Sequence, residues 1–384
     1  MKKRVAIVRG PNLSSWEMQN FSPLMDEFEF CAYTSYFNNF DLTTIPFEVK
    51  KLFSVGQFVK ARILRKPMNI WMGDYHDLQG LGSALSGYEI VHSVESYYYC
   101  SYQAGLAKKK NNYKLVLTVW ENIPYIYYSE VSMRNRSLMA HQADLFLPTS
   151  ERAKEVLILE GMPEEKIKVQ MPGIDIKHFH PMDKDKEYLS LFNCSEDDII
   201  VLFVANLYRE KGIYDLIYGF KRLIDRSANK SKLKLLIAGR GKEKDRVEGW
   251  IKKLDLGNNV HLIGSYNYAL MPKIHNLADI FILPSLPTPN WQEQFGYVLI
   301  ESMATGKPVI STLSGSIPEV VGDAGILIQS NDFYSITSAL EELINDPRKR
   351  AELGKQGRLR VEKLFDVNKV ANSIRQHYNE LLTR

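Results

Sequence analysis

The feature that most limits what this chain can become is an alternation running through its whole length. Short apolar, β-rich runs are separated by stretches with helical periodicity. In the first half the runs are RVAIVRG, closed by a Gly-Pro-Asn turn, then YEIVHS, KLVLTVW and DLFLPTS, with RAKEVLILEG a helical pattern beside them. Apolar runs of this length suit strands buried on both faces, and strands that alternate with helices pair in parallel. The second half repeats the scheme: IIVLFVANL, KLLIAGRG, VHLIGSY, IFILPS and PVIST read as strands, with IYDLIYGFKRLIDRS and DRVEGWIKKLDL as amphipathic helices. There is also an echo in the letters. ADLFLPTS at 143–150 and ADIFILPS at 278–285 both begin Ala-Asp and leave through proline to serine. One eight-residue match is weak alone; with the two alternating sets it predicts two doubly wound α/β domains. A length of 384 residues accommodates them comfortably. MPGIDIKHFHP, residues 171–181, interrupts both patterns and reads as the linker. Open α/β sheets bind ligands beyond the carboxyl ends of their strands, so two such domains facing across a cleft would offer a binding edge on each wall.

Composition narrows the class. A net charge of +4 gives no dense basic face of the kind nucleic acid requires. Cys31, Cys100 and Cys194 are isolated, which leaves neither a Cys-x-x-Cys metal site nor a disulfide framework and favours a reducing compartment. The four-residue apolar run after MKKR is too short for a signal segment, and nowhere do about eighteen apolar residues run together. A cytoplasmic protein is expected. The acidic runs SEDDII and MDKDKE read as solvated, and His92 and His141, without ligand spacing, as structural.

The stretch WQEQFGYVLIESMATGKPVI carries two glutamates, Glu293 and Glu301, eight positions apart. On one continuous helix they would be separated by about 12 Å, beyond the roughly 5–9.5 Å of a hydrolase carboxylate pair. Prolines at 284, 287 and 289 favour a loop as far as Gln294, with a helix from near Phe295 to the Gly306-Lys-Pro break. The amides from Gly296 to Leu299 would then form an anion site suited to phosphate, with Glu293 on one side and Glu301 one turn into the helix. Carboxylates so placed accept from sugar hydroxyls. The pattern points to a nucleoside-diphosphate sugar; two solvated glutamates on an amphipathic helix would be the plain alternative.

These residues resemble a known family. EQFGYVLIE matches the Glu-x7-Glu motif of the retaining glycosyltransferases of family 4, and LADIFILPS, ESMATGKPVISTLSGSIPEVV and DAGILI are similar in order and spacing. The resemblance covers the C-terminal half and, more loosely, the N-terminal half. It implies the GT-B fold, two Rossmann-like domains facing across a cleft: an acceptor-side domain over 1–175, a donor-side domain over 176–365, and a last helix, 366–384, crossing back to the first. It implies a metal-independent hexosyltransferase without cofactor that retains anomeric configuration. By position, Glu293 would face the transferred sugar and Glu301 the ribose. The backbone at Phe295, Gly296, Tyr297 and Val298 would hold donor sugar and diphosphate. Lys211, in LYREKGIYDLI, would neutralise the leaving diphosphate, with Arg209 sharing that role. GSYNYALMP, near Tyr266, would read the base, and Gly10 would approach the phosphate and acceptor.

Two departures accompany the resemblance. Where the family has Gly-Arg this chain has Ala205 and Asn206; Asn206 can hydrogen-bond a phosphate but cannot neutralise it. Where many members have a histidine after the strand VLTVW, this chain has Trp120 and Glu121. Trp120 is then a stacking platform or core, and Glu121 or Asn122 takes over hydroxyl binding on the acceptor side. The segment 49–66, with Lys50, Lys51, Lys60, Arg62, Arg65 and Lys66, has the make-up of a basic helix that touches an anionic membrane at its inner face. Tyr97, Tyr98, Tyr99 and Tyr102 cannot all face one site, so some are core. The expected function is transfer of a sugar from a nucleoside diphosphate, uridine first and guanosine second, to a glycan, a lipid or a small molecule. The alternatives are a regulatory protein that binds the nucleotide sugar without transfer and a sugar phosphorylase on the same fold.

Overall fold

The computed structural model describes residues 2–55 and 76–383. The chain forms two compact units, Met1–Gly173 with Val367–Arg384, and Ile174–Asp366. In the first, β1 (Lys3–Gly10), β2 (Phe28–Ser35), β3 (Glu48–Leu52), β4 (Ile90–Val94), β5 (Lys114–Val119) and β6 (Leu145–Pro148) make one parallel sheet in the order β3-β2-β1-β4-β5-β6. In the second, β7 (Ile199–Val204), β8 (Leu233–Ala238), β9 (Val260–Gly264), β10 (Ile280–Leu283), β11 (Val309–Thr312) and β12 (Gly325–Ile328) make another, β12-β11-β10-β7-β8-β9. Counted from the start of each unit, both orders are 3-2-1-4-5-6, the doubly wound arrangement expected.

Single strands show why. Along β1, Val5 and Ile7 enter one apolar cluster and Ala6 and Val8 the other, the two-residue period of a strand buried on both faces. One cluster is closed by Cys100 and Ala104 of the helix Tyr99–Asn111, Met139 of Glu130–Gln142 and Leu157 of Glu151–Leu159. The opposite cluster takes Val370, Ala371, Ile374, Tyr378 and Leu381 from the final helix, Val367–Thr383, at helical spacing. The Tyr378 hydroxyl also meets His92 Nδ1 at 2.6 Å, while Nε2 meets Thr118 Oγ1 at 2.7 Å. Burial and the Arg9 charge hold this histidine well below its usual pKa, as suits a structural group.

The structure corrects the sequence reading in two places. The basic helix expected over 49–66 is instead strand at its start: Glu48–Leu52 is β3, parallel to β2. This is a sheet edge, where lysines such as Lys50 and Lys51 are compatible with a strand and discourage further pairing. Residues 56–66 of that segment lie outside the described residues.

The second correction concerns the echo. ADLFLPTS holds the sixth strand of its unit and ADIFILPS the fourth, so the likeness does not mark equivalent positions. What the two share is a way of starting a strand beside its neighbour. Asp144 Oδ2 accepts the Leu115 amide at 2.7 Å and Asp279 Oδ2 the Ile200 amide at 2.8 Å. The amides of the two aspartates donate in return to the carbonyls of Leu115 and Ile200, and each carboxylate is paired with a lysine, Lys108 or Lys184.

Candidate active site

In the second unit Asn206, Arg209 and Lys211 follow the carboxyl end of β7 and Glu293 and Glu301 that of β10, and the structure brings Lys211 and Glu293 into contact. After β7 the chain passes the exposed Asn206 and makes a tight turn, Arg209–Lys211. Gly212 ends this turn at φ +73°, and a Cβ there would lie 1.8 Å from the Pro284 carbonyl oxygen. Only glycine allows that approach. The Leu286 amide donates to the Glu210 carbonyl at 2.7 Å, fastening the turn to the exit of β10. Lys211, 82 residues before Glu293 in sequence, thereby comes to place its Nζ 2.7 Å from Glu293 Oε2.

Glu293 is buried, and the Ser285 hydroxyl donates to the same Oε2 at 2.7 Å. Thr312 Oγ1, at the end of β11, donates to the Ser285 carbonyl at 2.5 Å, and the Ser316 amide donates to the Glu293 carbonyl at 2.9 Å. The carboxylate is thus oriented from several directions. The helix begins at Tyr297 and runs to Ala304, with Gly296 at φ +84° as its N-cap. The left-handed conformation at this position selects glycine, while a Cβ there would lie 2.8 Å from the terminal Leu299 Cδ1 methyl. One detail differs from expectation: the Leu299 amide donates to the Gly296 carbonyl at 2.9 Å, so the candidate anion site narrows to the amides of Gly296, Tyr297 and Val298. Phe295 faces inward and packs edge-on against Phe365.

Glu301 is also buried, its Oε2 3.1 Å from His275 Nε2. Arg209 is exposed at the head of its turn, and its charge acts on Asp215, whose pKa burial raises and Arg209 lowers. Tyr266 donates its hydroxyl to the Ile263 carbonyl at 2.8 Å and packs edge-on against Tyr188.

In the first unit, Gly10 ends β1 at φ +55°, its carbonyl accepting from Thr34 Oγ1 at 2.6 Å. Trp120 meets Trp16 edge-on with ring centroids 6.0 Å apart. Glu121 is buried in the loop leaving β5. Its Oε1 accepts the amides of Asn122 and Ile123 at 3.0 and 2.9 Å, because the loop leaving β5 turns back over this carboxylate. Glu95, in the left-handed region at φ +55°, does the same one step earlier: its Oε1 accepts the amides of Trp120 and Glu121. Burial, reinforced by the Glu121 charge, pushes the Glu95 carboxyl up to about 8. Of the tyrosine group, Tyr97 is core, while Tyr98 stacks on His76 at 3.7 Å.

The sequence does not single out Ser285, His275, Trp291 or Glu95 as site residues. Ser285 could have been found from its place at the end of a predicted buried strand. His275 and Glu95 carry no spacing signal, since their partners are 25 or 26 residues away. Among the described residues, no helix is long and apolar enough to cross a membrane.

Residues 189–360 match the family model described as glycosyl transferases group 1. A capsular polysaccharide biosynthesis glycosyltransferase, CapM of Staphylococcus aureus, is 31% identical over 244 residues, 61% of this chain and 60% of that protein. A D-inositol 3-phosphate glycosyltransferase of Thermobifida fusca is 26% identical over 59% of this chain and 53% of its own. The chain spans roughly half to three-fifths of the length of the first curated relatives it matches, 60%, 48% and 50% in turn. Among solved structures, Anabaena HepE in complex with UDP aligns at TM-score 0.78 and 18% identity, over 98% of this chain and all of that one. Sucrose-phosphate synthase from Thermosynechococcus elongatus aligns at TM-score 0.77 and 20% identity over the full length of both. The two six-stranded units therefore have the GT-B fold.

Proposed function

We propose that this chain is a glycosyltransferase that takes a sugar from a nucleoside diphosphate and passes it to an acceptor hydroxyl. The observation that carries the reading is the Lys211–Glu293 pair at 2.7 Å, set beside a glycine-opened helix start. The diphosphate would lie on the amides of Gly296, Tyr297 and Val298, where a helix start favours anions. Lys211 would stabilise the negative charge that grows on the leaving diphosphate, a preorganised cation in a partly desolvated place. Glu293 would accept from hydroxyls of the sugar, and Glu301, fixed by His275, from the ribose. Arg209 would assist from the rim, and Asn206 would donate to a phosphate oxygen.

A lysine and helix amides supply the charge stabilisation a divalent ion would otherwise give, so the reaction is proposed to need no metal. Retention of configuration is the stereochemical outcome proposed. The uridine nucleotide named with HepE supports uridine as the first donor base, and a GDP-mannose-dependent mannosyltransferase of Corynebacterium glutamicum, 32% identical over 50% of this chain, keeps guanosine second. A glycan acceptor accords with the capsular polysaccharide named with CapM.

The test is release of nucleoside diphosphate from a panel of UDP-, GDP- and ADP-sugars, with Lys211→Ala and Glu293→Ala as controls. Release from one donor, lost in both variants, is the expected result and identifies base and sugar together. Tight binding without turnover across a broad acceptor panel would instead indicate a regulatory nucleotide-sugar-binding protein.

A further inference from the structure

Lys211 has a second neighbour that the proposed chemistry does not require. Its Nζ lies 4.5 Å from the centroid of the Trp291 ring, while Glu293 Oε2 holds it from another side. The ring is delivered by a tight turn: the Thr288 amide donates to the Trp291 carbonyl at 2.8 Å, and the Trp291 amide returns to the Thr288 carbonyl at 3.3 Å. Pro287 and Pro289 flank Thr288 and restrict its path. A short, stiffened loop thus places an aromatic face against the ammonium.

The two neighbours differ in what they do when an anion arrives. A carboxylate neutralises the ammonium and repels a phosphate. An aromatic face attracts the ammonium through its quadrupole, carries no net charge and leaves N–H donors for other oxygens. A second carboxylate in place of the ring would hold Lys211 as firmly but would oppose a diphosphate. We propose that Trp291 is a positioning residue that holds the Lys211 ammonium beside Glu293 while keeping it available to phosphate oxygens. The phosphate half of this inference rests on the donor reading given above.

Two measurements test it separately, on wild type, Trp291→Phe, Trp291→Leu, Lys211→Met and the Trp291→Leu/Lys211→Met double variant. The first is NMR of lysine ε-methylene groups, with Lys211 assigned by its loss in Lys211→Met. Lys211 should show an upfield ring-current shift that Trp291→Leu abolishes and Trp291→Phe partly keeps. A Lys211 signal indifferent to Trp291→Leu overturns the anchoring.

The second is calorimetric binding of UDP, GDP and ADP. A cation–π contact of about 0.5–2 kcal/mol predicts that Trp291→Leu weakens the preferred nucleotide roughly 2- to 30-fold, and that Trp291→Phe stays within about 3-fold. The double variant should bind no more weakly than Lys211→Met alone, since Trp291 acts through that lysine. Multiplied single effects in the double variant, or full affinity in Trp291→Leu, overturn the positioning role. If wild type binds none of the three nucleotides, the donor reading and the phosphate half fall together, and the NMR measurement still decides the anchor.

Discussion

The exits of the fourth and fifth strands can be compared between the two units, because their sheets have the same order. In the first unit the fourth strand leads to Glu95, whose Oε1 gathers the amides of Trp120 and Glu121, and Glu121 gathers the next two. In the second, the fourth strand leads to Ser285, which donates to Glu293, and the fifth ends at Thr312, which holds the Ser285 carbonyl. One side brings two carboxylates together and engages them with backbone. The other brings a carboxylate to a lysine and orients it with a hydroxyl. The same place in a fold engages its carboxyls with backbone amides in one unit and pairs a carboxylate with a lysine in the other, the arrangement that the proposed function uses.

The largest expected effect tests the second half of that contrast. Lys211→Met or Glu293→Gln should lower donor turnover about 100- to 1,000-fold, the scale of losing a preorganised electrostatic group, while thermal unfolding moves little. Steady-state assays beside melting curves decide it. A variant that melts early and loses activity in proportion would make the pair structural and erase the difference between the units.

Next is the pH dependence of the first unit. Glu95 titrates near 8 in the folded chain against an ordinary 4.5, through burial first and the Glu121 charge second; Glu160 adds in the same direction, and the Trp120 and Glu121 amides oppose it. Between those two values the unfolded chain has released a proton that the folded chain still holds. Stability contributed by this group therefore falls as pH rises from about 4.5 to about 8, by at most about 1.4 kcal/mol per pH unit, and is flat above. Tyr97 beside it is held well above its usual pKa and stays neutral there. Glu95→Gln should flatten that slope in urea unfolding at pH 5.5, 7 and 8.5. Parallel curves for variant and wild type would show that Glu95 does not change charge in this range.

A smaller, symmetrical effect is expected at the strand starts. Asp144→Asn and Asp279→Asn each weaken a charged acceptor for a neighbouring strand's amide, and each should cost about 1–2 kcal/mol without altering turnover. Both side chains are about a quarter exposed, 24% and 25%, which keeps the lysine contribution small. Unequal losses would mean that the matching letters do different work after all.

How much of this is readable in the sequence follows from the range of each interaction. The central strands are legible because burial on both faces forces apolar runs such as IIVLFV and IFIL. The edge strand EVKKL is not, because it needs no such run and its lysines imitate a basic helix. The loop before Tyr297 and the helix after it are legible because prolines and a left-handed glycine mark the boundary locally. The Lys211–Glu293 contact is within reach only through family resemblance, since nothing local joins residues 82 apart. Glu95 has no signal at all: its raised pKa arises from a fold that buries it and brings the loop of residues 120 and 121 over its carboxyl. The echo of 143–150 in 278–285 shows the opposite failing, a real local likeness that does not report topology.

That echo yields the smallest and most discriminating pair of variants, at its two final serines. Ser150 Oγ accepts the Ala153 amide at 3.1 Å and caps the helix Glu151–Leu159. Ser285 Oγ instead donates to the Glu293 carboxylate. Ser150→Ala should cost about 1 kcal/mol of stability, the usual loss for a helix cap, and leave turnover unchanged. Ser285→Ala should lower turnover roughly 3- to 10-fold, since Lys211 still holds the carboxylate from one side, with a smaller change in melting. Ser285→Thr, which keeps a hydroxyl, should recover part of the rate. If Ser285→Ala behaves like Ser150→Ala, losing stability but not rate, the orientation of Glu293 is set by Lys211 and the backbone, and the hydroxyl at the fourth strand's exit belongs to the architecture as Glu95 does.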